Sequence, residues 1–454
     1  YIPPEVSFLV AEQSVSEAIG MTTIIVQLNY PTSRDVTVPI DISGTATYGL
    51  SEDYTMVPLN SVWIQAGYKY VSIAVMINND PTDEYDETVI VTMDTPTNAV
   101  LGSPTVHTLT ILDNDEPPEV YFTTASQEVS EAVGVMQATL ELSLASGKVI
   151  TVPFSVDGTA TGGGIDYSID EFQVIIPAGA TSANINVSIV DDSIDEYDET
   201  LILTLNTPEN ATLGSPSEHT ATILDNDGPP DVMFSSDKSF LPEGFGKKVI
   251  NVELSQVSGK AVVISFSLSG TATNGSDYEG ATSQITINPG SLSGKFEIYI
   301  LDDTIYEGDE TVVVSFSKLV HANAGSPNQH TITITDNDDP PVISFSQASQ
   351  QVSESDGSLS VTIQVSGETD KVIQVSLNVS GTAVEGSDFT LSSHSVSIQP
   401  GETSASISIN ILDDDEVEAE ETIEIALSDP TNAVLGSPST HTITIRDNDF
   451  NDDG

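Results

Sequence analysis

The sequence predicts an all-β protein built as four tandem immunoglobulin-like Greek-key β-sandwiches in an elongated array. Three observations carry this. A pentapeptide recurs as ILDND (111–115), ILDND (223–227), ITDND (334–338) and IRDND (445–449), at intervals of 112, 111 and 111 residues, the mark of a repeat architecture. Inside each copy apolar residues alternate with polar ones instead of following a helical period. Short turn signals separate those runs, about seven strands in about 110 residues, as a sandwich of this class requires.

Each copy opens on paired prolines and a short apolar run: PPEVSF (3–8), PPEVYF (117–122), PPDVMF (229–234) and PPVISF (340–345). The prolines make the connector short and stiff. In the second copy Ile185, Val187 and Ile189 alternate with polar residues, as do Leu201, Leu203 and Leu205, so both runs read as half-buried strands. Ser146-Gly147, Pro177-Ala178-Gly179 and Leu213-Gly214-Ser215-Pro216 are the turns between strands lettered A to G. The boundaries expected from this pattern are 1–115, 116–227, 228–338 and 339–454, the last with a short acidic tail.

The 454 residues carry a formal net charge of −58, from 69 Asp and Glu against 11 Lys and Arg. The apolar content of 38% is ordinary for a globular chain, so the acidity does not signal disorder. Nucleic acid and anionic membranes are read by clustered Lys and Arg, and neither is an expected partner. The absence of Cys excludes disulfides and thiolate chemistry. No apolar run approaches a membrane span.

Topology sorts the charge. In an alternating antiparallel sandwich, strands A, C, E and G end at one pole and B, D and F at the other. In the second copy, strand A ends at Glu131 and Asp166 follows C. Asp191-Asp192 with Glu196 and Glu199 follow E, and G ends in Asp225-Asn226-Asp227. All share one pole. The opposite turns, ASGK (145–148), PAGA (177–180) and ATLGSPS (211–217), hold no carboxylate. Two carboxylates about 4 Å apart repel by about 4 kcal/mol at an effective dielectric of 20, so six or more need a cation. Calcium takes about six to eight oxygen ligands from distant loops, whereas magnesium keeps its water and zinc prefers His or Cys. Ca2+ is the expected cofactor.

The linked motifs VSEA (15–18), GTATYGLSEDY (44–54), DEYDET (83–88) and ILDND (111–115), with counterparts in the other copies, resemble the Calx-β family. That family is found in the regulatory region of sodium–calcium exchangers, in an integrin β subunit and in large bacterial surface proteins, and the resemblance covers residues 3–449. It implies as ligands Glu17, Asp53, Asp80, Glu84, Glu87, Asp113 and Asp115 in the first copy, and Glu131, Asp166, Asp191, Asp192, Glu196, Glu199, Asp225 and Asp227 in the second. The third offers Glu243, Asp277, Asp302, Asp303, Glu307, Glu310, Asp336 and Asp338. The fourth offers Glu354, Asp388, Asp413, Asp414, Glu418, Glu421, Asp447 and Asp449, and with Asp415 and Glu416 nearby it is expected to bind most tightly. The first copy has Asn79 where the others have the leading Asp of the pair, and Pro81 after Asp80, so a weaker site is expected. Ligand count suggests about two to four ions per copy. A cadherin-like array shares the period and the acidic linker but requires middle motifs that this chain lacks.

Smaller signals remain. His107, His219, His330 and His441 recur at the start of strand G and are expected on the strand surface. Lys148, Lys260 and Lys371 occupy the B–C turn at the pole away from the acids, where they would face and partly neutralise the acidic pole of the preceding copy. No nucleophile–base constellation stands out, so no enzymatic activity is expected. The expected function is an extracellular, secreted or cell-surface calcium-binding array acting as a rigid structural or adhesive stalk. Its partners would be calcium ions, a surface ligand or further copies of itself. The alternatives are a subunit of an extracellular filament, assembled end to end or by strand exchange, and a calcium-sensing module.

Overall fold

In the computed structural model, which describes residues 2–449, each copy is a pair of five-stranded sheets packed face to face. The first copy sets the pattern with β1 (Glu5–Phe8), β2 (Glu12–Ser16), β3 (Met21–Leu28), β4 (Val36–Gly44), β5 (Tyr54–Val57), β6 (Ser61–Ile64), β7 (Tyr70–Ile77), β8 (Glu87–Met93), β9 (Val100–Leu101) and β10 (Val106–Leu112). One sheet runs β5-β7-β3-β1-β9 and the other β2-β10-β8-β4-β6, and the other three copies repeat this order. The residues 450–454 assigned to the acidic tail lie outside the described residues. Among the described residues no helix is long and apolar enough to cross a membrane.

Ten strands replace the expected seven: strand A is divided in two, and the short strands β5 and β9 are added at the two edges of one sheet. β1 pairs antiparallel with β3 in one sheet; the chain then crosses over, and β2 runs parallel to β10 in the other. Two-residue β9 closes the edge beside β1. The alternating apolar residues meet between the sheets. Phe8, Phe122, Phe234 and Phe345, one per copy, are at most 1% exposed.

The recurring histidines differ from expectation: all four are buried, His441 completely. In the first copy Nδ1 of His107 lies 2.8 Å from the Val10 carbonyl, within the crossover from β1 to β2. The same bond joins His219 to Thr124, His330 to Ser236 and His441 to Gln347, each at 2.7 Å. A carbonyl only accepts, so Nδ1 carries the hydrogen. Each ring also packs on the core phenylalanine, 5.6 Å centroid to centroid for His107 and Phe8. The histidine pins the strand division to the core, and burial pushes His330 below its ordinary pKa.

The GTA sequence after strand C has an equally physical reason. Gly44, Gly158, Gly270 and Gly381 have φ of 131°, 127°, 129° and 129°. A Cβ on Gly158 would stand 2.1 Å from the Thr200 carbonyl oxygen. Strain and overpacking add, so Gly158→Ala is expected to cost about 3 kcal/mol or more. Chemical denaturation reads this; a loss below about 1 kcal/mol would refute the packing account.

The chain forms two compact units: one runs to Asp227 without Ile194–Glu196, and the other starts at Gly228 and takes in Ile194–Glu196. Within the first unit the B–C turn of the second sandwich lies on the loop after β7. Lys148 Nζ stands 2.7 Å from Asp83 Oδ1 and 3.6 Å from Asp113 Oδ2. Ser146 Oγ donates to the Asp83 carbonyl at 3.0 Å, and Asp83 is 3% exposed. The second unit holds a like pair, Lys260 and Asp195, at 2.7 Å.

Candidate metal centre

Strand direction delivers the acids to one end of each sandwich. In the first copy β2 leads into Glu17, β4 leads into the loop with Asp53, β7 leads into Asp80, β8 begins at Glu87, and β10 leads into Asp113 and Asp115. A one-turn 3-10 helix, Glu17–Ile19, places the first of these, and its counterparts Glu131–Val133 and Glu354–Asp356 do the same in the second and fourth copies. The third copy makes this turn with glycine instead. Gly244, at φ 67°, comes so close to Asp302 that a Cβ would lie 2.6 Å from its Oδ1.

The carboxylate oxygens converge in triads whose members lie within 4.8 Å of one another. Those of the first copy include Glu17 with Asp113 and Asp115, and Asp53 with Glu84 and Glu87. Glu131, Asp192 and Asp227 form one in the second copy, and in the third Glu243 belongs to two, with Asp303 and Glu307 and with Asp336 and Asp338. Glu354, Asp388, Glu418, Glu421 and Asp447 line one small cleft of the fourth copy, of about 10 Å³. The equivalent cleft of the first copy, lined by Glu17, Asp53, Glu84, Glu87 and Asp113, is about 20 Å³. These volumes suit an atom-sized occupant; organic ligands need hundreds of cubic ångströms.

Local hydrogen bonds set the ligand loops. Within each DND sequence the last Asp donates its N–H to the first: Asp115 to Asp113 at 3.4 Å, Asp227 to Asp225 at 3.2 Å, Asp338 to Asp336 at 3.1 Å and Asp449 to Asp447 at 2.9 Å. The Glu17 carboxylate accepts from the Asp80 amide at 2.9 Å, and Glu131 accepts from Asp192 at 3.1 Å. Asp414 turns on itself, accepting from the Glu416 amide at 2.7 Å. The loop aspartates Asp53, Asp166, Asp277 and Asp388 accept from the backbone N–H of Thr47, Thr161, Thr273 and Val384.

The leading aspartates of the pair have a different employment. Asp191, Asp302 and Asp413 accept at Oδ1 from the central DND asparagine, Asn226, Asn337 and Asn448, at 2.9, 3.2 and 3.3 Å. In the first copy this aspartate is Asn79, and the central Asn114 instead presents its carbonyl to the Ala18 N–H at 3.0 Å. The departure noted in the sequence thus removes both a charge and a latch. Sequence reasoning missed these asparagines, although they stood inside the repeating motif. It also missed Asp86 and Asp198, which accept from the amides of Asp113 and Asp225 at 3.1 Å each. Of the second copy's expected ligands, Glu196 lies in the short stretch counted with the second unit, and Glu199 opens the strand Glu199–Leu205.

Electrostatics test whether these residues fit a metal. Burial first, then hydrogen bonding and repulsion from Asp53, push Glu87 up to about 8. Burial and Asp277 likewise push Glu310 to about 8, and burial and Asp388 push Glu421 to about 7. Glu243 and Glu307 reach about 7, from burial and then Asp303. Such pairs share a proton when nothing else bridges them. In addition, Asp115 Oδ2, Glu243 Oε2, Asp338 Oδ2, Glu421 Oε2 and Asp449 Oδ2 are buried with no hydrogen-bond donor in the protein reaching them. Buried acceptors without donors are costly, and a hard cation satisfies an acceptor-only oxygen set. The residues fit calcium.

Comparison with known proteins shows the family. The Calx-beta domain family model matches four times, at residues 2–115, 113–227, 225–338 and 336–449. The extracellular matrix organizing protein FRAS1 of Mus musculus is 27% identical over 97% of this chain and 12% of its own length. Sodium/calcium exchanger 1 of Rattus norvegicus is 33% identical over 36% of this chain and 19% of its own. The crystal structure of calcium binding domain CBD12 of CALX1.1 is 18% identical over 47% of this chain and 82% of that one, with a TM-score of 0.24. The chain thus spans less than a fifth of either curated relative.

Proposed function

Because this chain belongs to the Calx-beta domain family, we propose that it is a non-catalytic, extracellular calcium-binding array whose ions stiffen it into a structural or adhesive stalk. The observation that carries the reading is the pole of converging carboxylates with buried, donorless oxygens. Matrix relatives such as FRAS1 support the extracellular setting. We divide the chain into repeats 1–115, 116–227, 228–338 and 339–454, and take the carboxylates that the resemblance implies as the ligand set. Two separate triads in the first repeat, and two in the third that share Glu243, support about two ions per pole.

Calcium does two things at such a pole. It cancels repulsion among acids that otherwise hold protons, and it ties loops from five strands together. Lys148, set against Asp83 and Asp113, then locks a stiffened loop to the next sandwich. Carboxylates packed within 4.8 Å leave no room for a substrate between a spaced acid and base, so we assign no catalytic role. Limited digestion with a Glu-specific protease tests the proposal. Millimolar calcium is expected to slow cleavage after Glu84, Glu87, Glu418 and Glu421 at least about tenfold over chelator, since proteolysis follows local opening. Equal rates would refute a stiffening role.

A further inference from the structure

We propose that the cation site of the third repeat is completed by the Asp370 carboxylate of the fourth, so that one calcium ion is held jointly by two sandwiches. The proposal rests on the calcium reading of the poles and adds to it a ligand that the family pattern does not supply.

In the first unit the B–C turn of the second repeat meets the acidic loop of the first. At that contact Gly147 has no space for a side chain: a Cβ would lie 2.7 Å from Glu84 Oε1. The neighbouring Lys148 pairs with the buried Asp83. In the second unit the same turn is Thr369-Asp370-Lys371. Thr369 forms a parallel bridge with Tyr306 and donates from Oγ1 to its carbonyl at 2.5 Å. Lys371 donates to the Glu307 carbonyl and lies 4.0 Å over the Tyr306 ring. Residues on both sides of Asp370 therefore grip the segment that carries Glu307.

Two sequence differences coincide there. The position of Asp83 in DEYDET is Tyr306 in YEGDET, and the position of Gly147 is Asp370. The carboxylate missing from the loop of the third repeat stands instead on the turn of the fourth, at the position where the Gly147 backbone touches Glu84. Its charge is felt at both Glu307 and Glu310. Independently, Glu243 is only 7% exposed, its Oε2 has no donor, and it converges with Asp303 and Glu307. A hard divalent cation seated there takes about six to eight oxygens, more than this triad offers singly, and Asp370 is an acid of the neighbouring repeat whose flanking residues are held against Tyr306 and Glu307.

Calcium titration calorimetry on the full chain tests this with Asp370→Asn, with Glu368→Gln as a control for charge alone, since Glu368 is exposed in the same turn. Asp370→Asn is expected to weaken one class of sites about tenfold, with Glu368→Gln unchanged. In a Glu307→Gln background, where that class is already lost, Asp370→Asn should add nothing. Wild-type affinity in Asp370→Asn, or an equal loss in Glu368→Gln, overturns joint coordination while leaving calcium binding intact. A wild-type chain that takes up no calcium overturns the reading of the poles themselves.

Discussion

Chelating calcium is expected to lower the melting temperature of each repeat by about 20 °C. An ion held at a hundred times its dissociation constant stabilises the native state by about 2.7 kcal/mol, so two per pole contribute about 5 kcal/mol. For a domain of this size about 4 °C follows each kcal/mol. The effect is local, because each repeat carries its own core and its own cluster of carboxylates. Glu131→Gln with Asp192→Asn, which dismantles the triad of the second repeat, should leave one transition near its chelated temperature even in calcium, with the others in place. Scanning calorimetry of the wild type and this variant, each with millimolar calcium and with chelator, gives the answer. Melting that ignores chelation would show the acids to be solvated surface.

The second large effect is on pH. Glu87 and Glu310, raised to about 8 chiefly by burial and then by Asp53 and Asp277, hold protons at neutral pH that calcium must displace. One proton exchanged per ion weakens binding about tenfold per pH unit below 8, so affinity at pH 6 should be about a hundredfold below its plateau. Stability in chelator runs the other way. The native pKa lies above the unfolded one, so the native state binds the extra proton between about 4.5 and 8 and loses that stabilisation as pH rises through this window. The metal-free protein should melt highest near pH 5 and progressively lower toward pH 8, while the calcium-loaded protein gains. Parallel slopes in the two conditions would exclude proton–calcium exchange at these glutamates.

Much of this was legible in the sequence, for a definite reason. Strand direction alternates with strand order, so the loops that carry Glu17, Asp53, Asp80 and Asp113 had to share a pole once the strands were counted. Alternation likewise located Leu201, Leu203 and Leu205 in the core, where all three are at most 3% exposed. The rest depends on pairings between distant segments, which periodicity does not encode. Strand A reads as one run, and only the parallel pairing of β2 with β10 divides it. His107 looks like a surface residue of a polar strand until that division brings the Val10 carbonyl over it. Asn226 and its counterparts pass for spacers between aspartates, because their partner is a loop 35 residues away. Asp370 has no meaning in its own turn, and acquires one only beside Glu307.

The division of strand A has one more consequence, mechanical in kind. Tension along the chain enters a repeat at β1, passes through the crossover to β2 and leaves after β10, and β2 and β10 lie side by side, parallel, over five residue pairs from Glu12 with Thr108 to Ser16 with Leu112. The pull acts along the strands and across their hydrogen bonds, so the rungs share the load together instead of parting one after another from an end. The seam between the second half of the divided strand and the exit strand is thus loaded in shear, its stronger direction.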